Sequence, residues 1–566
     1  MSVGIVGTGP AAAAVEAALG DIDVTVARSD LAGLSAHDLS VVAGRAGETV
    51  FERASERALE EELRWVAVEL GGVGGIPVVD AAVSGFGPET GCFECLSDRV
   101  SANLDPQTDP AAAPPTHTSR FAGALAGREI ARHLQDGADI LGRVVVVPYT
   151  EREFLPLPNC ACDPGRERVL SRSDRDRSLE ESLGRAERAL DDLLGIVQEV
   201  GEAESFPVPY YLAQSCDTAG FSDASAARDA AGVAADWDGA FMKALGEAME
   251  RYCAGIYTAE EFDVAAPASM ENAVRPSAFV CESEPDPSVE IPWVDGQNLS
   301  TTGAVTLPAE FVHYPPPETR YRSPVTTGLG LGNSSVEALL AGLYEVIERD
   351  ALMLSWYSSF EPLELSIDDD LFTALEHRAS SEGLTVTPLL LTQNVDVPVV
   401  AVAVHREEWP RFALGSGAAL DAREAAQSAL GEALQNWMEL RGMGPEGAAD
   451  ALGAIGQYAE LPDEAAEFIG TETAIPAESA GSAPEMQGEE ELTAVLDRID
   501  NAGLSAYAAR TTTRDVEQLG FEAVRVLVPE AQPLCFGSVY FGERARQVPD
   551  ELGFDTELDR EHHPFP

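Results

Sequence analysis

The sequence predicts two domains that combine α/β and α+β architecture. The chain has 566 residues, which is too long for a single hydrophobic core. Residues 3–27 have the pattern of a strand, a glycine turn, an alanine-rich helix and a second strand, which is how a doubly wound α/β fold begins. A charged run begins near residue 166 and continues into a long amphipathic helical pattern. We therefore expect domains at 1–165 and 166–566.

The net charge makes some classes of partner improbable. The chain has 96 acidic and 37 basic residues, a formal net charge of −59, and its only lysine is Lys243. A surface this acidic repels phosphates and anionic membranes, so we expect neither nucleic acid nor membrane as a partner. The apolar content of 45% is higher than in disordered chains. The acidity is typical of a salt-loving organism, where screening reduces self-repulsion.

Four of the eight cysteines form two close pairs, Cys92-x-x-Cys95 and Cys160-x-Cys162. The N-terminus lacks a signal sequence, and no apolar run reaches the roughly 18 residues of a membrane span, so we expect a cytoplasmic protein with reduced thiols. Four thiolates suit a structural, tetrahedral Zn²⁺ site. The second pair departs from the CxxC spacing, and four ordinary buried cysteines remain the alternative.

The glycine turn near the N-terminus, Gly7-x-Gly9-x-x-Ala12, could hold a dinucleotide pyrophosphate at the start of a helix. A nicotinamide site also needs an acidic residue at the end of the second strand. Ala27 and Arg28 stand there, and Asp30 comes only later. The turn alone is weak evidence for nucleotide binding.

A nearly identical phrase recurs three times in the second domain: LGEAMERYC at 245–253, GLYEVIERD at 342–350 and LGEALQNWM at 430–438. Helical periodicity places one set of polar residues on one stripe of each of the first two helices: Lys243, Glu247 and Glu250 in the first, and Glu337, Glu345 and Glu348 in the second. Solvated helix faces would have the same pattern. The shared register favours carboxylates that converge on Mg²⁺ and a nucleotide, because the cation offsets their repulsion.

Four segments taken together resemble the YcaO domain: 232–254, 326–356, 417–437 and VRVLVPEAQPL at 524–534. The resemblance implies ATP binding without a Walker loop, and none is present here. It also implies that Glu247, Glu250, Glu337, Glu345 and Glu348 hold Mg²⁺ and the triphosphate, and that Arg525 contacts the phosphates. Lys243 is a further candidate for phosphate binding, with an i,i+4 ion pair to Glu247 as the alternative.

The two ends of the chain resemble other parts of the same protein class. The N-terminal region is similar to the ThiF-like docking domain that accompanies YcaO domains, which implies a zinc tetrathiolate and a segment that binds a leader peptide. The last residues, HHPFP, resemble the proline-rich tail that enters the active site of azoline-forming members. On that resemblance the Pro566 carboxylate positions the substrate or transfers a proton. A frayed terminus is the alternative.

The resemblance implies an ATP-dependent cyclodehydratase that converts Cys, Ser or Thr of a ribosomal precursor peptide to an azoline, as in the synthesis of thiazole/oxazole-modified microcins. Expected partners are the precursor peptide with its leader, a flavin-dependent azoline dehydrogenase and a second copy of the chain. Three alternatives stay open at this point. They are a thioamide-forming YcaO enzyme, a peptide-docking scaffold without catalysis, and a dinucleotide-binding oxidoreductase.

Overall fold

The computed structural model describes residues 1–105, 111–162, 165–450, 454–471, 473–481 and 486–566. Its N-terminal part is built on one seven-stranded sheet of order β2-β1-β3-β4-β5-β6-β7. The strands are β1 (Ser2–Val6), β2 (Thr25–Arg28), β3 (Leu39–Arg45), β4 (Trp65–Leu70), β5 (Ala81–Phe86), β6 (Arg143–Val146) and β7 (Thr150–Glu153). The first four strands of that order pair in parallel, and the last three extend the sheet antiparallel. The predicted α/β opening is confirmed.

Four helices cover both faces of this sheet. They are α1 (Pro10–Leu19), α2 (Val50–Glu61), α3 (Phe93–Ala102) and α4 (Thr116–Asp136). Helices α1 and α4 share one apolar cluster with the sheet, and α2 and α3 share another on the opposite face. At the glycine turn, Arg28 Nη1 donates to the Gly7 carbonyl at 3.1 Å and Arg28 also pairs with Glu16. The guanidinium therefore lies against the turn where a dinucleotide would need to approach.

The C-terminal part contains three smaller sheets. Its strands are β8 (Val197–Glu204), β9 (Tyr210–Ser215), β10 (Asp229–Val233), β11 (Asp263–Ala265), β12 (Ile291–Asn298), β13 (Ala304–Pro308), β14 (Leu329–Gly332), β15 (Leu363–Ser366), β16 (Thr385–Leu390), β17 (Val399–His405), β18 (Phe412–Ala418), β19 (Ala474–Pro476), β20 (Tyr507–Arg510) and β21 (Glu522–Leu527). The sheet orders are β10-β9-β8, β11-β12-β20-β21-β14 with β13 paired to β12, and β18-β17-β16-β15-β19. Together with the N-terminal sheet, these give the predicted mixture of α/β and α+β architecture.

The helices of this part are α5 (Leu179–Ala186), α6 (Trp237–Gly255), α7 (Ala309–Val312), α8 (Ser335–Trp356), α9 (Asp370–Ser381), α10 (Ala422–Asp450), α11 (Ala454–Tyr458), α12 (Asp463–Ile469), α13 (Gly488–Asn501), α14 (Arg514–Leu519) and α15 (Arg544–Leu552). Helix α10 is interrupted at Gly444, whose φ is 70°, just before Pro445. In the described residues, no helix has the length and apolar character that crossing a lipid bilayer requires.

Three long helices repeat one arrangement around a common centre. Helices α6, α8 and α10 each follow the terminal strand of a different sheet, β10, β14 and β18 respectively, and pack on it. Each helix also contacts the strand of another unit: α6 contacts β14, α8 contacts β18 and α10 contacts β10. Three strand–helix units thus close into a ring, and the three copies of the repeated phrase lie on its three helices.

Glycines let each helix of this ring approach its strand closely. Gly232, Gly330 and Gly417 each precede the first glutamate of the repeated phrase by fifteen residues. A Cβ atom at these positions would lie 2.1 to 2.6 Å from a backbone oxygen of the helix. A side chain there would push the helix away from the strand, so the glycines fix where the glutamates stand.

The prediction of a long helix after residue 166 is wrong. The structure forms only α5 there and then enters strand β8. A tight turn separates the two, because Asp191 Oδ1 accepts the N–H groups of Leu193 and Leu194, each at 2.8 Å. The Gly195 N–H also bonds to the Asp191 carbonyl at 3.0 Å. Hydrogen bonds from backbone N–H groups to an aspartate side chain compete with the hydrogen bonds of a helix. The spacing of the apolar residues does not reveal this competition.

Candidate active site

A cavity of about 580 Å³ lies at the centre of the three strand–helix units. Six of the residues predicted from the sequence line it: Lys243, Glu247, Glu250, Glu337, Glu345 and Glu348. The carboxylates therefore face one shared space and not bulk solvent. Carboxylate oxygens gathered in this way are the ligands that Mg²⁺ prefers, and Mg²⁺ in turn binds the oxygens of a triphosphate.

Backbone N–H groups fix the first glutamate of each copy of the repeated phrase. Glu247 Oε2 accepts from Ala231 N at 2.7 Å, and Glu345 Oε2 accepts from Gly328 N at 2.9 Å. In the third unit, Glu432 Oε2 accepts from Ser416 N at 2.6 Å. In each case the donor lies on or beside the glycine-bearing strand before the helix. The three units thus orient one carboxylate by the same device.

The remaining carboxylates are held less uniformly. Glu337 Oε2 accepts the Asn333 N–H at 2.9 Å at the start of α8. Glu348 Oε1 accepts the hydroxyl of Ser416 at 2.7 Å. The same hydroxyl lies 3.3 Å from Glu432 Oε2. Ser416 therefore connects the second and third units at the wall of the cavity.

The cavity raises the pKa of its carboxyl groups. Burial, together with the nearby carboxylates of Glu345 and Glu247, raises the pKa of Glu250 to about 8. Burial also raises the pKa of Glu348 to about 7, although the Arg349 guanidinium opposes that shift. For Glu247, burial raises the pKa and Arg251 opposes the change. Without a cation these buried carboxylates repel one another, and a bound divalent ion would relieve the repulsion.

Lys243 lines the cavity without the ion pair considered for it. Glu247 Oε1 pairs with Arg251 at 2.5 Å. In the described part of the chain, Lys243 has no salt bridge to Glu247. Burial lowers the Lys243 pKa, and the negative charge of Glu432 opposes that effect. The ammonium group is thus left available on the cavity wall.

Arg525 is close to the carboxylates but does not line the cavity. Its Nη1 donates to the Thr326 carbonyl at 2.9 Å and its Nη2 to the Val325 carbonyl at 2.8 Å. Burial and the nearby Arg322 lower its pKa to about 9, while the charges of Glu345 and Glu250 act in the opposite direction. Its buried Nε has no hydrogen-bond partner in the described structure.

Sequence reasoning missed two charged residues of the site, Arg349 and Glu432. Arg349 Nε lies 3.5 Å from Glu348 Oε1, and its Nη2 lies 3.8 Å from Glu432 Oε1. Both residues line the cavity. The signal for Glu432 was present, because it occupies the place of Glu247 and Glu345 in the third copy of the phrase.

The C-terminal tail is packed into the molecule and ends at the cavity. The Phe565 side chain is fully buried and packs edge-on against Trp356 and Phe468. The indole N–H of Trp356 donates to the Glu561 carbonyl at 2.9 Å. Arg349 Nη1 donates to the Pro566 carbonyl oxygen at 3.0 Å. The last residue therefore lies beside the carboxylates, and the terminus is not frayed.

The four paired cysteines meet at the other predicted site. All four Sγ atoms lie within 4.8 Å of one another. The Cys92–Cys160 sulfurs are 3.5 Å apart, the Cys95–Cys162 sulfurs 3.4 Å, and the Cys92–Cys95 sulfurs 3.8 Å. A tetrahedron of sulfurs at about 2.3 Å from zinc has edges of about 3.8 Å. The donor set therefore fits Zn²⁺, including the CxC pair.

Comparison with known proteins identifies a family for more than half of the chain. The model of the YcaO cyclodehydratases, described as ATP- and Mg²⁺-binding, matches residues 231–532. An uncharacterised protein of Methanothermobacter thermautotrophicus is 31% identical over 217 residues, which cover 36% of this chain and 56% of that protein. An uncharacterised protein from the tfuA 3′ region of Rhizobium leguminosarum bv. trifolii is 26% identical over 233 residues, or 36% and 54% of the two chains. The match spans about half the length of these curated relatives.

Solved structures match the fold over nearly the whole chain. A heterocyclase in complex with substrate and cofactor superposes with a TM-score of 0.73 at 21% identity, covering 98% of this chain and 83% of that one. The heterocyclase TruD gives a TM-score of 0.66 at 20% identity, covering 98% and 82%. A YcaO protein from Methanopyrus kandleri bound with AMPPCP and Mg²⁺ gives 0.50 at 23% identity, covering 63% and 91%.

Proposed function

Because this chain belongs to the YcaO cyclodehydratase family, we propose that it is an ATP- and Mg²⁺-dependent cyclodehydratase that forms azolines from Cys, Ser or Thr in a ribosomal precursor peptide. The observation that carries the proposal is a cavity in which carboxylates of three helices meet Arg349, whose guanidinium also binds the chain terminus. A nucleotide site and a group able to move a proton are then side by side.

The residues of the cavity divide into two roles in this proposal. The carboxylates of Glu247, Glu250, Glu337, Glu345 and Glu348 would hold Mg²⁺, which offsets the charge of the triphosphate and polarises the transferred phosphoryl group. Lys243, Arg349 and Arg525 would provide positive charge for the phosphate oxygens. In a protein of net charge −59, such local cations are needed for a nucleotide to approach.

The reaction begins when the side-chain sulfur or oxygen of the peptide attacks the preceding backbone carbonyl carbon. The side chain loses its proton, and the Pro566 carboxylate would accept it; the hydrogen bond between Arg349 and Pro566 supports this role. The carbonyl oxygen then takes the γ-phosphoryl group of ATP, which turns a poor leaving group into a good one. Expulsion of phosphate and loss of the amide N–H proton give the azoline C=N bond, ADP and inorganic phosphate.

The test is ATP consumption together with the loss of one water mass per ring on the precursor peptide encoded beside the gene. Glu345→Gln should abolish both and weaken Mg²⁺-ATP binding. Glu361→Gln, on an exposed position outside the cavity, should leave both unchanged. Binding of nucleotide without any change in peptide mass would support the docking-scaffold alternative, and incorporation of sulfur from added sulfide would support a thioamide former. The tail that ends at Arg349 favours the cyclodehydratase.

We also propose that the cysteine cluster holds one structural Zn²⁺ ion. With four thiolates the coordination shell is closed, so the ion would brace the segment between β5 and α5 without taking part in the reaction. Metal analysis should find about one zinc per chain. Cys95→Ser should lose the metal and lower the melting temperature, whereas Cys281→Ser, which lies outside the cluster, should do neither.

We also propose three kinds of partner for this chain. The family resemblance implies recognition of a leader peptide by the N-terminal domain, oxidation of the azolines by a separate flavin-dependent dehydrogenase, and a homodimer. One heterocyclase that superposes on 98% of this chain was solved in complex with its substrate and cofactor, which supports a substrate complex for this chain as well. Light scattering of the purified chain, alone and with the precursor peptide, tests the dimer and the complex together.

A further inference from the structure

A groove of about 800 Å³ opens beside α15, away from the carboxylate cavity. Its walls come from residues within the segments 277–285, 502–504 and 541–551, together with Asn394 and Glu530. The apolar surface is provided by Phe279, Val280, Phe541 and Val548. A groove of this size and composition can take several residues of an extended peptide.

Carboxylates surround this groove. Glu284, Glu530, Glu543 and Glu551 line it and are exposed. The one basic residue in its wall, Arg544, is already paired: its Nη2 lies 2.6 Å from Asp350 Oδ2 and 2.8 Å from Asn394 Oδ1. The groove therefore presents negative charge, which favours a basic or uncharged peptide over an acidic one.

A narrow cleft leads from the groove to the active site. Phe279 lines both the groove and the cleft, and Arg349 lines both the cleft and the carboxylate cavity. Arg349 is also the residue that binds the Pro566 oxygen. The cleft, the chain terminus and the carboxylate cavity thus meet at the Arg349 guanidinium, and the groove joins the cleft at Phe279.

The cleft is too narrow for a whole side chain as it stands. Its volume is about 30 Å³, which is room for about two water molecules. One wall is fixed, because Gln532 Nε2 donates to the Tyr540 carbonyl and Gln532 Oε1 accepts the Gly542 N–H, each at 2.9 Å. Arg322 also lines the cleft and lies over the Phe311 ring, and its side chain makes no hydrogen bond or ion pair in the described structure. A rotation of the Arg322 side chain would therefore widen the cleft without breaking a polar contact of that side chain.

We propose that this groove binds the core segment of the peptide substrate, with a preference for basic or uncharged sequences, and that the reacting residue reaches the active site through the cleft at Arg322. This rests on the proposed function for the chemistry at Arg349. Small reacting side chains such as Cys and Ser suit so narrow a passage.

The test uses the full chain with Mg²⁺ and a non-hydrolysable ATP analogue. The probes are two fluorescein-labelled decapeptides of Gly, Ser and Cys, one with two arginines and one with two glutamates. Fluorescence anisotropy should show tighter binding of the basic peptide. Glu551→Arg should weaken that binding about fivefold, since it places like charges together. Asp550→Arg, the exposed neighbour that does not line the groove, should change it less than twofold and controls for the acidity of the whole surface.

A photocrosslinking residue locates the peptide directly. p-Benzoylphenylalanine at Gln547, in the groove wall, should capture the basic peptide, and the same residue at Asp550 should not. Equal effects of Glu551→Arg and Asp550→Arg, or equal capture at both positions, would overturn the groove assignment. Binding of a fluorescent ATP analogue is measured on the same samples, so loss of the nucleotide site would contradict the proposed function while leaving the peptide result readable.

Discussion

The guanidinium of Arg349 and the terminal residue Pro566 are joined by a hydrogen bond of 3.0 Å between Nη1 and the Pro566 oxygen. Arg349 also lies within 4 Å of carboxylate oxygens of Glu345, Glu348 and Glu432. The end of the chain is thereby fixed next to the cavity proposed for nucleotide. Packing of the tail fixes the position of the terminal carboxylate, because Phe565, the residue before Pro566, is fully buried.

Deleting Pro566 should reduce azoline formation by about 100-fold or more, the contribution typical of a positioned acid–base group. The deletion moves the terminal carboxylate back by about 3.3 Å, one residue of extended chain. Mass spectrometry of the peptide measures the loss. Binding of an ATP analogue should change less than threefold, because the cavity carboxylates remain.

Pro566→Ala is the matched control, because it keeps the carboxylate at the same place in the chain. It should retain most of the activity. If Pro566→Ala were as inactive as the deletion, the ring of the proline and not the terminal charge would be what matters.

Glu432 should contribute to metal binding although it was not predicted. It is oriented by Ser416 N–H as Glu247 is by Ala231 N–H, and it faces the same cavity. Glu432→Gln should raise the Mg²⁺ concentration for half-maximal nucleotide binding by about tenfold, the usual effect of losing a ligand or its support. Isothermal titration at several Mg²⁺ concentrations measures it. Glu424→Gln, on the same helix but outside the cavity, should have no such effect, and equal behaviour of the two variants would contradict the role.

Much of the site could be predicted because its determinants are local. The repeated phrase places carboxylates on one face of a helix, and helical periodicity is a property of adjacent residues. The glycines that press each helix onto its strand lie a fixed distance before those carboxylates. Arg349 was not predicted because its role depends on the tail, 217 positions away in the sequence. The groove was missed for the same reason, since its walls come from segments that are far apart in the sequence.

The fold could be predicted only in segments where the spacing of the apolar residues followed one helical or strand period. The strand–turn–helix pattern at the N-terminus was confirmed, whereas the helix expected after residue 166 gave way to the Asp191 turn. The Gly-, Pro-, Ala- and Glu-rich composition of the stretch 440–490 predicts a surface excursion and not a part of the core. Among its described residues, Phe468 and Ile469 are buried and β19 pairs with β15, while 451–453, 472 and 482–485 lie outside the described residues. Composition alone underestimated the apolar residues spaced within that stretch.

Asp515→Asn should lower the free energy of unfolding by about 3–5 kcal/mol. Asp515 pairs with Arg99, and both side chains are fully buried. The hydroxyl of Tyr252 also donates to Asp515 Oδ2 at 2.7 Å. With asparagine at position 515, the Arg99 guanidinium on α3 would stay buried beside α6 without a countercharge. Chemical denaturation measures the change.

A double variant separates charge from packing at this contact. Arg99→Met combined with Asp515→Leu removes both charges and should recover most of the lost stability, as apolar replacement of buried ion pairs does. A double variant less stable than Asp515→Asn would mean that the hydrogen bond of Tyr252, and not the unpaired charge, dominates.

Glu69 should make the stability of the protein fall with rising pH. Its side chain is fully buried in β4, and its two oxygens accept the N–H groups of Gly74 and Gly75 at 2.8 and 2.7 Å. Burial raises its pKa from the ordinary 4.5 to about 7, although those two hydrogen bonds act in the opposite direction. The folded state therefore retains a proton that the unfolded state has lost. The stabilisation is complete below pH 4.5 and disappears as the pH rises to about 7.

The expected size of this effect is on the order of 3 kcal/mol. It is measured as the difference between the wild type and Glu69→Gln in the free energy of unfolding across that pH range. The difference is needed because the other acidic groups also make stability depend on pH. Glu60→Gln, at an exposed position, is the matched control and should keep the wild-type slope. If Glu69→Gln also kept that slope, the Glu69 carboxyl would be ionised in the folded protein throughout, and the two glycine N–H groups would outweigh its burial.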